Sequence, residues 1–216
     1  MDQIQSTLTA MTLGGFVMYP LFVLAILATA LLLEKGFANW RHCRMPESLA
    51  TLLRGYDLSL GEFERQILTL PKQSYYGRFC RAILANRARP AGWIEARAAD
   101  EAKSIESTLD KGLWILETIV TAAPLLGLLG TITGMMQAFR LFGTHSLVDP
   151  AGVTGGVAEA LIATAFGIVV ALVALFGFNF FSRLKSRTLD ELEQMGTRLI
   201  ERICDQQRQE LSREIA

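Results

Sequence analysis

The stretch GVAEALIATAFGIVVALVALFGFNFF, residues 156–181, decides the fold because it combines a long apolar run with one carboxylate. Glu159 is the only charged residue between Asp149 and Arg183. A charge at the centre of a membrane helix costs about 2.5–3.5 kcal/mol on insertion scales. Retention of this carboxylate predicts ion or proton handling, or pairing with a charge on a partner. The alternative is a hydrated position at the outer end of the helix.

The rest of the composition also indicates a membrane protein. The chain has 216 residues, of which 51% are hydrophobic, and its mean hydropathy is +0.32. Uncharged windows cover residues 3–33, 118–139 and 160–182, and a membrane helix needs about 20 apolar residues. The first window lacks the basic start of a cleavable signal and is followed by Glu34 and Lys35, so it predicts a retained span.

The basic residues predict one orientation. Residues 34–117 hold 13 Lys and Arg and residues 183–216 hold 7, whereas the connection between the second and third spans holds only Arg140. Basic loops face the cytoplasm, so the N-terminus is predicted to be periplasmic and the C-terminus cytoplasmic in a multi-pass protein of the bacterial inner membrane. The predicted segments are an external N-terminus (1–14), the first transmembrane helix (15–34), a cytoplasmic helical domain (35–117), the second transmembrane helix (118–140), an external turn (141–154), the third transmembrane helix (155–182) and a cytoplasmic helical tail (183–216).

The fold class is therefore an all-α membrane protein with three transmembrane helices, two of them extended into a cytoplasmic helical bundle. Residues 45–89 predict short amphipathic helices separated by proline and glycine. From Ala91, apolar residues recur every three or four positions and predict one uninterrupted helix from 91 to 140. Pro124 lies within it, and proline is a common cause of helix kinks. Asp149 and Pro150 predict the start of the third long helix. An apolar stripe continues through the tail at Leu192, Met195, Leu199 and Ile203.

The second and third spans differ from the first because small residues dominate one face of each. Small residues allow close approach of helices in lipid. The predicted helix-packing positions are Gly127, Gly130, Gly134, Ala160, Gly167 and Ala171. Packing within one subunit would explain these faces, but two such faces on a chain with three spans favour a homo-oligomer. Thr131 and Thr164 lie on the same spans, where their hydroxyls either line a narrow polar path or bond to carbonyls of their own helix.

Other classes of site have little support in the sequence. The three cysteines, Cys43, Cys80 and Cys204, form no CxxC or Cys/His cluster, so no metal or redox site is predicted. The spans contain no Ser/His, Cys/His or paired-carboxylate arrangement, so we expect no enzyme and no cofactor. Three spans without inverted repeats also disfavour a solute carrier.

The strings APLLGLLGTITGMMQAF (123–139) and GGVAEALIATAFGIVVAL (155–172) resemble the membrane core of the ExbB/TolQ/MotA proton-channel family. The three-span layout is similar to the ExbB and TolQ type. By this resemblance the intramembrane glutamate of the family falls on Glu159, its two threonines on Thr131 and Thr164, and its closing asparagine on Asn179. Val173 stands where many members have proline, so we expect a straighter third helix here.

The resemblance implies a proton-motive-force-driven motor subunit that forms a homopentamer around a single-span dimer of the ExbD or TolR type. Proton flow past Glu159, Thr131 and Thr164 would move the partner and pass work to a TonB or TolA type protein, and nucleic acid has no part in this scheme. The favoured function is ExbB-like support of TonB-dependent import. A TolQ-like role in envelope integrity and constriction, or a non-conducting membrane scaffold, are the alternatives.

Overall fold

The computed structural model describes residues 16–42, 60–71, 74–144 and 150–215. These residues form six α-helices and no strand, which confirms the all-α prediction. The helices are α1 Met18–His42, α2 Leu60–Thr69, α3 Tyr75–Leu84, α4 Ala91–Asp110, α5 Leu113–Thr144 and α6 Pro150–Ile215. Three of the described helical stretches are long and apolar enough to cross a membrane. Cys43, Asp149, residues 45–59 and the predicted external N-terminus lie outside the described residues.

The chain divides into two compact units. The first consists of Met1–Leu33 and Gly112–Phe181, and the second of Glu34–Lys111 and Ser182–Ala216. The first unit contains the apolar part of α1, all of α5 and the first half of α6. In it, α1 contacts α6 through the rings of Phe22 and Phe166, whose centroids lie 4.9 Å apart, and Leu32 fills the space beside Gly177. Along α5, Pro124 lies inside the helix without ending it.

The second unit is a helical bundle with its own apolar core. The predicted stripes on α4 and on the tail of α6 are confirmed, because Ile94 and Ile105 are fully buried and Leu192, Met195, Leu199 and Ile203 are at most 3% exposed. Polar contacts join the helices around this core. Tyr76 donates a hydrogen bond to Glu191 at 2.5 Å, and Arg78 forms an ion pair with Glu101 at 2.7 Å.

One core residue carries a reactive group. Cys80 is fully buried, and its Sγ lies 2.9 Å from Sδ of Met195. Burial raises the pKa of the Cys80 thiol to about 12, although the nearby Arg81 charge acts in the opposite direction. The thiol is therefore neutral at physiological pH.

The predicted uninterrupted helix from 91 to 140 is wrong in one place. The chain leaves the helix at Lys111, whose ψ is 121°, and Gly112 has a φ of 81°. This left-handed conformation suits glycine, which has no Cβ to clash with the following carbonyl. Lys35 donates a hydrogen bond to the carbonyl of Leu109 at 2.7 Å, so it satisfies one of the carbonyls that a helix end leaves unpaired.

We expect Gly112→Ala to lower the free energy of unfolding by about 1–2 kcal/mol, the cost of a left-handed conformation for a residue with a Cβ. The melting temperature in detergent should fall by about 2–4 °C per kcal/mol. Gly36→Ala is the matched control, because Gly36 lies within α1 with nothing within 4 Å of an added Cβ. That control should leave the melting temperature unchanged or raise it. Equal changes in melting temperature for the two variants would contradict a requirement for glycine at position 112.

Candidate functional site

Within the first unit, α5 and α6 pack antiparallel through small residues. A Cβ added to Gly134 would lie 2.8 Å from Cβ of Ala160, and one added to Gly130 would lie 2.7 Å from Cβ of Ala163. At the far end of the series, a Cβ on Gly156 would lie 3.1 Å from that of Ala138. Residue numbers fall along α6 as they rise along α5, so these contacts fix the register of the two helices.

The closest approach is at Gly127 and Gly167, where backbone meets backbone. A Cβ on Gly167 would lie 2.6 Å from the carbonyl oxygen of Ala123 and 3.2 Å from Cα of Gly127. A Cβ on Gly127 would lie 3.0 Å from Cα of Thr164. Real Cβ atoms do not come as close as 2.6 Å to a carbonyl oxygen, so glycine at 167 is what permits this helix spacing.

Thr164 uses its hydroxyl at this crossing. Its Oγ1 donates a hydrogen bond of 2.7 Å to the carbonyl of Gly127 on α5. The sequence suggested either a polar path or a bond within the same helix, and the structure gives a third arrangement, a bond between helices. The hydroxyl commits its only hydrogen to this bond but keeps lone pairs that can accept another.

Thr131 behaves differently. Its Oγ1 donates to the carbonyl of Leu128 in its own helix at 2.6 Å, which is the local alternative noted from the sequence. Its side chain is half-buried. No hydrogen bond joins Thr131 to Thr164 or to Glu159 among the residues that the structure describes.

The small-residue contact between α5 and α6, at Gly127, Gly130, Gly134 and Gly167, is called the glycine seam below. Glu159 lies next to this packed seam but is not part of it. Its neighbour Ala160 is 3% exposed, while Glu159 itself is half-buried. Within the described part of the chain, its carboxylate has no hydrogen bond or ion pair. The helix register places Glu159 near the level of Gly134 and Thr131 near that of Ala163. Glu159, Thr131 and Thr164 therefore fall within about 8 Å of depth along the helix axis.

The remaining predicted positions divide between the seam and the surface. Ala171 is 7% exposed and Val173 is 47% exposed, and Asn179 is also exposed on α6. Among the described residues, no group of three His, Cys, Asp or Glu side chains could hold a metal ion.

The structure changes one argument drawn from the sequence. The sequence alone favours contacts between subunits for these small residues, yet Gly127, Gly130, Gly134 and Gly167 all meet the other helix of the same chain. Oligomerisation stays a prediction, but these glycines no longer support it. Large apolar side chains are exposed elsewhere on the described helices of this unit, including Leu125, Ile132, Phe139, Leu161 and Phe176.

An all-helical chain with three apolar helices and one carboxylate beside a glycine seam is a multi-pass membrane protein. Comparison with known proteins gives its family. The sequence pattern of the MotA/TolQ/ExbB proton channel family matches residues 72–194. The chain belongs to this family, which comprises proton channels and is not known as a family of enzymes.

Individual relatives agree with this assignment. The ExbB-like 1 protein of Synechocystis sp., named for biopolymer transport, is 34% identical over 193 residues, or 86% of this chain and 74% of the relative. The biopolymer transport protein ExbB of Neisseria gonorrhoeae is 30% identical over 171 residues, or 77% of this chain and 76% of the relative. The ExbB protein of Xanthomonas campestris pv. campestris is 41% identical over 98 residues, which is 45% of this chain and 39% of the relative.

Proposed function

We propose that this chain is an ExbB-like subunit of a proton-driven machine in the bacterial inner membrane. In this proposal it forms a homo-oligomer, with five subunits by resemblance, around a single-span partner of the ExbD type. The partner delivers work to a TonB type protein that serves import across the outer membrane. Family membership supports the proton-channel class, and the names of the relatives support the ExbB type over the TolQ type.

The observation that carries the proposal is the position of Glu159. A half-buried carboxylate without a partner among the described residues is costly in a membrane helix. The presence of this carboxylate in the membrane helix is explained if water, or a titrating group of another chain, reaches it. The glycine seam supports its position, because the close contact of Ala160 with Gly134 holds this part of α6 against α5.

The two threonines can assist without changing their hydrogen bonds. Each hydroxyl donates its hydrogen to a carbonyl, Thr131 within α5 and Thr164 across to α5, and each keeps lone pairs. We propose that these lone pairs accept hydrogen bonds from water molecules that carry the proton. The three groups would then form a short series of polar sites from Glu159 inward.

Reconstitution into liposomes tests the proposal. The chain is purified together with the single-span protein that co-purifies with it from native membranes, and an imposed pH gradient and potential drive proton uptake. One charge moving across 100 mV releases about 2.3 kcal/mol, so uptake should depend on the potential. We expect uptake from vesicles that hold both proteins and none from vesicles with Glu159→Gln. Equal uptake by the two would refute a path through Glu159.

The proposed orientation has a separate test with membrane-impermeant thiol reagents. Cys204 is half-buried on α6 and should react only from the cytoplasmic side. A cysteine introduced by Ser146→Cys should react only from the periplasmic side, while buried Cys80 should stay unmodified from either side. Labelling of Ser146→Cys from the cytoplasm alone would reverse the orientation.

A further inference from the structure

A groove of about 620 Å³ lies in the second unit, between α4 and the part of α6 from Leu189 to Glu201. Its floor consists of small and apolar residues, among them Ala98, Ala102, Gly196 and Ile200. Gly196 is buried, and an added Cβ there would lie 3.0 Å from Cζ of Phe79. At 1.5 Å per residue, the walls are about 17 Å long, which is enough for three turns of a helix or for a few large side chains.

The rim of the groove is acidic. Glu95, Glu106, Glu193 and Glu201 line it together with a single base, Lys103. Glu106 lies 4.0 Å from Lys185, whereas the other three glutamates form no ion pair with any described residue. A concave surface with one sign of charge attracts the opposite charge. The groove therefore fits an occupant that offers an apolar group flanked by guanidinium or ammonium groups.

The opposite flank of α4 offers that chemistry. Trp93 is 48% exposed, and the guanidinium carbon of Arg89 lies 5.6 Å from its ring centroid. Two residues correspond to about 200° around a helix, so Trp93 and Glu95 face in opposite directions. Arg97 is exposed on the same flank as Trp93, and Asp100 is the acid beside it. Tryptophan and arginine are the residues most enriched among energetically dominant interface contacts.

We propose that the acidic groove of one copy of this chain receives the Trp93–Arg89 surface of a second copy. The indole would occupy the apolar floor, and the guanidinium would meet the glutamates of the rim. Because Trp93 and the groove lie on opposite flanks of α4 and Arg89 precedes that helix, the contact is head-to-tail, and repeated head-to-tail contacts close into a ring when the rotation permits. The inference rests on the homo-oligomer of the proposed function but not on its proton path, and the two surfaces belong to the second unit of the chain.

Cross-linking between two tagged copies of the full chain in membranes tests the contact. The background carries Cys43→Ser and Cys204→Ser, and it keeps buried Cys80. One copy carries Gly92→Cys, next to Trp93 with open space around it, and the other carries Thr197→Cys in the groove. We expect a cross-link between the two tags. The matched control replaces Thr197→Cys with Ser212→Cys, an exposed position on α6 outside the groove, and should give none.

A charge exchange separates recognition from folding. Arg89→Glu alone or Glu193→Arg alone should lower the cross-link yield about tenfold, the effect of losing one dominant charged contact. Both changes together in each copy should restore the yield, while the melting temperature stays constant in all three variants.

Absence of the cross-link, a yield equal to the control, or no rescue would overturn the proposal. A cross-link between copies, together with no proton uptake by the wild-type chain and its partner in liposomes, would count against the proposed function alone. A groove that instead holds a basic segment of another protein would give no cross-link between copies.

Discussion

Glu159→Gln should reduce proton-driven work to the level of cells that lack the chain, while leaving the amount and size of the assembled protein unchanged. Glutamine keeps the size and hydrogen-bonding capacity of the side chain but cannot ionise. The helices should be unaffected because Glu159 has no hydrogen bond or ion pair among the described residues and lies outside the packed seam. The measurement is energy-dependent uptake, or envelope integrity, in cells that carry the partner proteins.

The matched control is Glu117→Gln, which removes an exposed carboxylate from α5 in the same unit and should retain activity. Thr164→Val should weaken activity and also lower stability modestly, because the 2.7 Å bond to Gly127 is lost and a neutral hydrogen bond contributes about 0.5–1.5 kcal/mol. Full activity of Glu159→Ala in the same cells would rule out the proton path and leave a structural scaffold as the function.

Gly167→Leu should be the most destabilising single change on the membrane helices. A side chain at this position meets the backbone of α5, at Ala123 and Gly127, and a backbone cannot rotate away as a side chain can. The helices must separate, which disturbs the Thr164 hydrogen bond and the neighbouring contacts. We expect a loss of at least about 3 kcal/mol, the upper part of the range for overpacking. The melting temperature in detergent should fall by roughly 10 °C.

Gly155→Leu provides the control on the same helix. Gly155 is exposed, and an added Cβ has nothing within 4 Å, so the larger side chain can be accommodated and the melting temperature should change little. If Gly167→Leu kept the wild-type melting temperature but lost its oligomeric state, the glycine would serve contacts between subunits, as the sequence first suggested. A fall in melting temperature places its main contact inside one chain.

Much of the fold follows from patterns that are local in the sequence. Uncharged windows long enough to span a membrane predicted the three apolar helices, and a spacing of three or four predicted the buried sides of α4 and the tail of α6. The break at Lys111 and Gly112 escaped this reasoning because the apolar spacing continues across it. A lone glycine inside a periodic pattern is often tolerated. The ammonium that binds the end of α4 belongs to Lys35 on α1, 74 residues before its acceptor Leu109.

The candidate site was predictable in part for a similar reason. Glu159 is visible in the sequence because a charge within an apolar run is rare and costly. The small faces of α5 and α6 were also visible, but not their register, which depends on which glycine meets which alanine. The partner of Thr164 carries no signal at all, since every residue has a carbonyl and only the packed structure brings that of Gly127 within reach.

The buried thiol of Cys80 has a consequence for the lifetime of the protein. The thiolate is the nucleophile that attacks peroxides and disulfides, and a thiol with a pKa of about 12 is almost entirely protonated at neutral pH. Met195 beside it is 1% exposed, so neither sulfur is accessible to oxidants while the bundle is folded. Under oxidative stress, Cys80 and Met195 would therefore be oxidised only while the bundle is transiently unfolded. The frequency of unfolding then sets the rate at which intact protein is lost.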